Sequence, residues 1–365
     1  MRNEILVGPC LETLAGLEDE SVHCCVTSPP YWGLRDYGHP DQFGLEPTPE
    51  RYVEKLVAQL REVRRVLRSD GTLWLNLGDS YAGSGKGEQG DGGQRAGRQT
   101  HSAATGPCEV PPSLKRKDLV GIPWRAAFAL QADGWYLRSD IVWHKPNPVP
   151  ESVTDRPTKA HEYVFLFAKS ERYFYDAWAI KEPHQMRPQR RPGGRPTDRT
   201  PRPGQPRQAW STAAREDTGV DGPPDGRNKR SVWRIHTRPF PEAHFAVMPE
   251  KLAELCVLAG SPVHCCVRCK APWVRRPHPE THRFEPTCAC EGTVNQTEPS
   301  LVLDPFFGAG TVGLVARQHG RDYLGCELNP AYAELARARI ERGTAQAQLF
   351  TPTGDVAGER AGELA

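Results

Sequence analysis

The sequence predicts an α/β chain built on a doubly wound, mostly parallel sheet, and three stretches predict it. Leu301-Val302-Leu303 is a short apolar run, read as a buried strand, and Val312 to His319 has helical spacing. Between them lies Asp304-Pro305-Phe306-Phe307-Gly308-Ala309-Gly310-Thr311, a tight glycine turn. Gly308 and Gly310 permit positive φ and close backbone approach, which a Cβ would block. A second strand, Tyr323 to Cys326, ends at Glu327. An acidic residue about 20 positions past such a turn is placed to accept hydrogen bonds from a ribose diol. Near the other end, the apolar run Val22 to Val26 leads into Thr27-Ser28-Pro29-Pro30-Tyr31-Trp32.

The remaining elements follow the same alternation. Ile5 to Val7 reads as a strand, and Leu11, Leu14 and Leu17 have helical spacing. Ser28 to Tyr31 fall on the loop at a strand's C-terminal end, where such sheets place ligands. Pro29 and Pro30 fix φ twice and remove two amide donors, so the loop is stiff and its carbonyls are free to point inward. Thr48 to Arg68 predicts a helix with an apolar stripe at Leu56, Leu60, Val63 and Leu67. Strands are expected over Gly71 to Leu77, Trp135 to Trp143, His161 to Ala168 and Ser231 to Ile235. Helices are expected over Leu119 to Ala132, from Pro249 through Leu258, and over Ala331 to Arg342, with a frayed tail beyond Gly343.

Composition bounds the class. The 365 residues carry a net charge of only +2, so the whole-molecule balance does not announce a nucleic-acid partner. The charge is unevenly spread: Lys181 to Arg238 holds 14 Lys/Arg against six Asp/Glu, a local net charge of +8. That interval is dense in Arg, Pro and Gly. It reads as a solvated linker in its middle, or as a phosphate-contacting arm that orders on nucleic acid. Gly83 to Lys117 has no periodic pattern and is read as a mobile loop. No apolar run is long enough to span a bilayer, and the charged N-terminus lacks a signal-peptide core. Eleven cysteines without a secretion signal favour a reducing cytoplasm.

Four of those cysteines have metal-ligand spacing. Cys266-Val267-Arg268-Cys269 and Cys288-Ala289-Cys290 stand about 20 residues apart, as in a zinc ribbon. Structural zinc on Cys266, Cys269, Cys288 and Cys290 is the expectation. Cys265 is a spare that leaves the ligand choice open, with His264, His278 and His282 as alternatives. Cys24, Cys25, Cys256 and Cys326 lie on apolar segments and are assigned to the core.

Taken together, the Ser-Pro-Pro-Tyr strand end and the Asp-Pro-Phe-x-Gly-x-Gly-Thr loop resemble the DNA amino-methyltransferases, with the motif order of the β-class. The resemblance covers nearly the whole chain. It implies a Rossmann-like domain that uses S-adenosylmethionine to methylate the exocyclic nitrogen of cytosine or adenine in double-stranded DNA. On this resemblance Ser28, Pro29, Pro30 and Tyr31 form the catalytic motif. Asp304, Pro305, Phe306, Gly308, Gly310, Thr311 and Glu327 hold the cofactor, with His244 and Phe245 beside it. Ser in the first motif position favours cytosine N4 over adenine N6. A homodimer and a cognate restriction endonuclease are further partners of the family's kind.

The chemistry fits those residue types. An exocyclic amine is a poor nucleophile, because its lone pair is delocalised into the ring. Acceptors at its hydrogens, here the Ser28 hydroxyl and the Pro29 carbonyl, pull the nitrogen towards tetrahedral geometry. The base must be flipped out of the duplex, and Tyr31 can stack on it. Trp32 either lines the pocket or packs. Where the family usually shows Gly-Asp, this chain has Gly8-Pro9, so adenine recognition falls to backbone groups or to Cys10, Phe306 and Leu328. Pro9-Cys10 and Pro107-Cys108 do not follow the cofactor loop, which argues against cytosine C5 chemistry. Two other rivals remain: a non-catalytic DNA-binding module, and a methyltransferase for RNA or a protein amide.

The expected organisation has a catalytic half (1–180), a basic target-recognition insertion (181–240) and a cofactor-side helix (241–263). A zinc-ribbon-like unit (264–292), the cofactor-binding half (293–345) and a disordered tail (346–365) complete it. Its geometric core is that Ser28 and Asp304, near opposite ends of the chain, meet across one cleft.

Overall fold

The computed structural model describes residues 1–34, 39, 41–83, 110–183, 226–237, 247–276, 283–290 and 296–350. The chain begins with β1 (Glu4–Val7), α1 (Cys10–Ala15), β2 (Val22–Thr27), α2 (Pro49–Val66) and β3 (Leu67–Leu77). It continues through α3 (Ile122–Ala132), β4 (Tyr136–His144), β5 (His161–Ala168), β6 (Val232–Arg234) and α4 (Glu250–Gly260). Four short strands follow: β7 (Cys265–Cys266), β8 (Trp273–Arg276), β9 (Arg283–Pro286) and β10 (Thr297–Glu298). The last elements are β11 (Leu301–Asp304), α5 (Thr311–Gln318), β12 (Asp322–Glu327) and α6 (Pro330–Phe350).

Eight strands form one sheet in the order β1-β12-β11-β2-β3-β5-β4-β6. It is parallel except around β5, which runs antiparallel to both β3 and β4. The two ends of the chain are interleaved. β11 pairs with β2 through Val302↔Cys24 and Leu303↔Cys25, and β1 pairs with β12 through Ile5↔Gly325. Both predicted motif loops therefore leave adjacent parallel strands at the same edge.

Each face of the sheet is covered because strand residues alternate sides. Cys25, Leu73, Leu75 and Leu303 join α1, α2 and α3 in one apolar cluster. α2 contributes Tyr52, Leu56, Leu60 and Val63, starts at Pro49, and is capped by Thr48, whose side chain accepts from the Arg51 amide at 3.3 Å. On the opposite face α4 presses close. A Cβ on Gly260 would stand 2.3 Å from Trp74 Nε1 and 2.8 Å from Cys24 Sγ, so only glycine allows that approach.

Three boundaries differ most from the sequence expectation. The helix expected from Leu119 starts at Ile122, because Gly121 is left-handed (φ +77°) and Asp79 Oδ1 accepts from the Gly121 and Ile122 amides. α6 does not stop near Gly343 but runs to Phe350. Gly343 there serves packing and not termination: a Cβ would meet Leu314 Cδ1 at 2.4 Å. β3 begins at Leu67, four residues earlier than its apolar run.

A second compact unit spans Ala177–Lys229. Its described residues form a short 3-10 turn at Trp178–Ile180 and an antiparallel bridge between Glu182 and Arg227. Glu182 also pairs with Lys229 at 3.3 Å. Most of the basic interval expected to contact DNA, residues 184–225, lies outside the described residues. Among the described residues no helix is long and apolar enough to cross a membrane.

Candidate active site

A cavity of about 580 Å³ opens at the C-terminal ends of β2, β11 and β12. Ser28, Pro29, Pro30 and Tyr31 line one side; Asp304, Pro305, Phe306, Gly308 and Glu327 line another. The two motifs thus face one space. They are joined beneath it by a buried hydrogen bond: Thr27 Oγ1 donates to Asp304 Oδ1 at 2.6 Å.

Asp304 works from under the turn. Its Oδ1 also accepts from the Phe306 amide at 3.0 Å, and the residue is 5% exposed. Burial pushes its carboxyl up to about 7, against the pull of those two donors. Phe307 is buried and stacks on Tyr323. It fills space left by two glycines, since a Cβ on Gly325 would stand 2.4 Å from its ring and one on Gly313 2.6 Å. With that anchor in place, Gly308 (φ +51°) and Gly310 (φ +74°) turn the backbone into α5. Gly308 lines the cavity, and a Cβ on it would meet only the Phe306 carbonyl oxygen, at 4.0 Å.

Glu327 spans the turn. Its Oε2 accepts from the Gly308 amide at 2.7 Å and its Oε1 from the Asn329 amide at 2.9 Å. Burial raises its pKa, opposed by those backbone donors. A carboxylate offers about four acceptor sites, so both oxygens keep capacity for hydroxyls in the cavity. Thr311 lies at the start of α5, where its hydroxyl accepts from Arg339 Nη1 at 2.9 Å and keeps its own hydrogen to donate. Arg339 also donates to the Ala309 carbonyl at 3.0 Å and to Glu250 at 2.8 Å, bracing the turn between α6 and α4.

On the other wall, Tyr31 is the hub. Its hydroxyl donates to Glu162 Oε2 at 2.7 Å, stands 3.2 Å from Asn76 Oδ1, and accepts from Ser28 Oγ at 3.4 Å. Burial, then the Glu162 charge, holds the phenol protonated well above its usual range. The ring rests on Gly78, where a Cβ would intrude to 2.4 Å. Glu162 is paired with Lys145, which also sits 4.4 Å over the Trp143 ring. Sequence reasoning missed Asn76, Lys145 and Glu162. They come from β3 and from the β4–β5 hairpin, and only the antiparallel insertion of β5 beside β3 carries them to Tyr31.

Two expectations about this loop are corrected or settled. The Pro30 carbonyl does not point inward free; it accepts from the Tyr52 hydroxyl at 3.0 Å. Trp32 packs: its indole donates to the Glu46 carbonyl at 2.7 Å, and it lies against the α1–α3 core cluster. His244 and Phe245 lie outside the described residues, but their neighbours Val247 and Met248 line the cavity. Gly8, Pro9, Cys10, Phe306 and Leu328 line it as well, on the side expected to meet an adenine ring.

Away from the cavity, the Sγ atoms of Cys266, Cys269, Cys288 and Cys290 all lie within 4.8 Å of one another. Cys265 is outside this group, because adjacent strand residues face opposite ways. Its thiol is buried and pushed up to about 12 by desolvation. His264 is turned to Phe284 and Thr297, and His278 and His282 lie outside the described residues.

Sheet order, glycine turn and cleft together define a Rossmann-like methyltransferase. The chain belongs to the DNA methylase family of N6 and N4 enzymes, whose profile matches residues 22–338. It is 42% identical over 339 residues to the Type II methyltransferase M.SmaI of Serratia marcescens, covering 93% of this chain and 91% of that protein. It is 43% identical over 335 residues to the Type II methyltransferase M.XycI of Xanthomonas campestris pv. cyanopsidis, covering 92% and 86%. Among solved structures it resembles PvuII DNA methyltransferase (cytosine-N4-specific), with a TM-score of 0.53 and 16% identity over 96% of this chain and 94% of that one. At that identity the likeness shows the fold alone.

Proposed function

We propose that this DNA methylase transfers a methyl group from S-adenosylmethionine to the exocyclic N4 of cytosine. The observation that carries this reading is the shared cavity, in which the Ser28 loop and the glycine turn are tied by Thr27 and Asp304. Phe306 to Gly308 would hold the cofactor, with Glu327 accepting from its ribose hydroxyls and Pro9 and Leu328 flanking its adenine. The flipped cytosine enters beside Tyr31, whose ring is fixed by Gly78 and Glu162 and offers a stacking surface.

Ser28 Oγ and the Pro29 carbonyl accept from the amine hydrogens. Bound S-adenosylmethionine would supply an electrophilic sulfonium methyl, whose carbon–sulfur bond would break to a neutral thioether as the amine held by Ser28 and Pro29 attacks. The new nitrogen–carbon bond leaves a positively charged amine, which loses a proton to water. No covalent enzyme–base intermediate is needed, and no thiol is used: burial raises both cysteines that line the cavity, Cys10 and Cys326.

Serine in the first motif position supports cytosine over adenine. Adenine N6 is the second reading, because the family includes both. The basic interval 181–240 supplies phosphate contacts, and 1–180 with 293–345 supply the two halves of the site. The relatives named Type II methyltransferases support a role beside a restriction endonuclease.

The test is to incubate the chain with duplex DNA and methyl-labelled cofactor, digest to nucleosides and separate them. Label in N4-methylcytosine is expected; label in N6-methyladenine reverses the choice of base. RNA and protein acceptors in parallel reactions should stay unlabelled.

A further inference from the structure

We infer that Cys266, Cys269, Cys288 and Cys290 bind one zinc ion, and that this ion pins the lower end of the sheet beneath the active site. The four sulfurs converge from two separate pairs to within 4.8 Å of one another. A tetrahedral zinc with bonds of about 2.3 Å needs sulfur–sulfur spacings of about 3.8 Å, a closure of an ångström or less. An iron–sulfur cluster is a larger body, and its four thiolates would stand further apart. Soft thiolates without carboxylate partners select zinc over calcium or magnesium.

The surrounding unit has little core of its own, though Arg275 ties it to the buried Asp176 at 3.1 Å. β8 and β9 form an isolated two-stranded ribbon, and none of their residues is fully buried. A piece this small needs a staple. The knuckle turn is shaped around the first pair: the Lys270 amide donates to the Cys266 carbonyl at 2.9 Å, and Lys270 itself is left-handed (φ +61°).

That knuckle is fastened to the sheet from below. Arg68 Nη1 donates to the Cys269 carbonyl at 3.0 Å. His23, buried on β2, lies 3.0 Å through Nε2 from the Lys270 carbonyl. Its Nδ1 accepts from the Leu301 amide at 3.1 Å, so the ring is neutral with its proton on Nε2. One imidazole thus links the metal knuckle to the starts of β2 and β11, the two strands that end at Thr27 and Asp304. None of the four cysteines lines the cavity, so the ion is structural and takes no part in methyl transfer.

The test is metal content of the full-length protein, purified without added metal or chelator and measured by plasma mass spectrometry. About one zinc per chain is expected. Cobalt exchanged into the site should show the near-ultraviolet charge-transfer bands of a thiolate complex. The Cys288→Ser/Cys290→Ser protein should lose the zinc and melt at a lower temperature, while Cys265→Ala keeps it. If the double variant does not fold, titrating wild-type thiols with a mercurial should release one zinc as four cysteines react. Wild-type protein with no bound zinc and these four thiols freely titrating, or joined as disulfides, would overturn the assignment.

Discussion

Thr27 Oγ1 and Asp304 Oδ1 lie 2.6 Å apart although 277 residues separate them in the chain. Each is the last residue of a parallel strand, and each is followed by one of the two motif loops. The bond sets the distance between the loops before any ligand arrives. Thr27→Val keeps the shape and removes the donor. Losing one buried hydrogen bond of this kind costs about 1–3 kcal/mol. Chemical denaturation should show that loss, and calorimetry should show weaker cofactor binding.

Asp304 also makes stability depend on pH in an unusual direction. Its folded-state pKa is raised to about 7 by burial, above the ordinary carboxylate value. Between about pH 4 and pH 7 the folded protein therefore binds more protons than the unfolded one at this site. Stability from this group is present at low pH and is lost as pH rises towards 7. The slope is at most about 1.4 kcal/mol per pH unit. Asp304→Asn should flatten that part of the stability–pH curve. An unchanged slope would place the titrating group elsewhere; Glu327, shifted the same way, is the next to examine.

Ser28→Ala should leave cofactor affinity unchanged and lower kcat by about 10²–10³-fold, the cost of one transition-state hydrogen-bond partner. Isothermal calorimetry and single-turnover methylation separate the two effects. Parental turnover would remove Ser28 from the chemistry.

At Tyr31 two substitutions divide ring from hydroxyl. Tyr31→Phe keeps the stacking surface but leaves Glu162 without its 2.7 Å donor. It should reduce stability more than DNA affinity. Tyr31→Ala removes the ring as well, and stacking is worth about 1–3 kcal/mol per base. Its affinity for a duplex with the target base already unpaired should fall accordingly.

The glycines of the cofactor side are not equivalent. Gly310 and Gly320 both have positive φ, at +74° and +72°. A Cβ on Gly310 would stand 2.8 Å from Ala336 Cβ, whereas one on Gly320 meets nothing within 4 Å. Gly320→Ala should cost only the left-handed backbone penalty of about 1–2 kcal/mol. Gly310→Ala should cost more, because α6 must move; urea midpoints measure the difference.

What could be read from the chain alone follows from locality. The turn from Asp304 to Thr311 and the strand ending at Glu327 are contiguous, so spacing and glycine placement expose them. The Ser28 loop is equally local. The four cysteines are readable because paired spacing carries its own geometry. By contrast, the Glu162–Lys145–Asn76 group gathers from β5, the residue just after β4, and β3, and nothing in the spacing of those residues marks it. His23 reads as one polar residue in an apolar strand, and its two partners are near residues 270 and 301. Arg339 looks like one of several arginines on a surface helix, yet it is 9% exposed and braces the turn. Gly343 carries the usual sign of a helix end, and only the position of Leu314 shows why glycine is there.

The most direct measurement is a crystal structure of the full chain with an unreactive S-adenosylmethionine analogue and a duplex carrying its target. The cofactor should lie over Phe306 to Gly308 with a flipped cytosine beside Ser28. Its transferring group should be within about 3–3.5 Å of N4, the separation from which such reactions proceed. A cofactor bound elsewhere, or a flipped base that does not approach Ser28, would contradict the shared pocket.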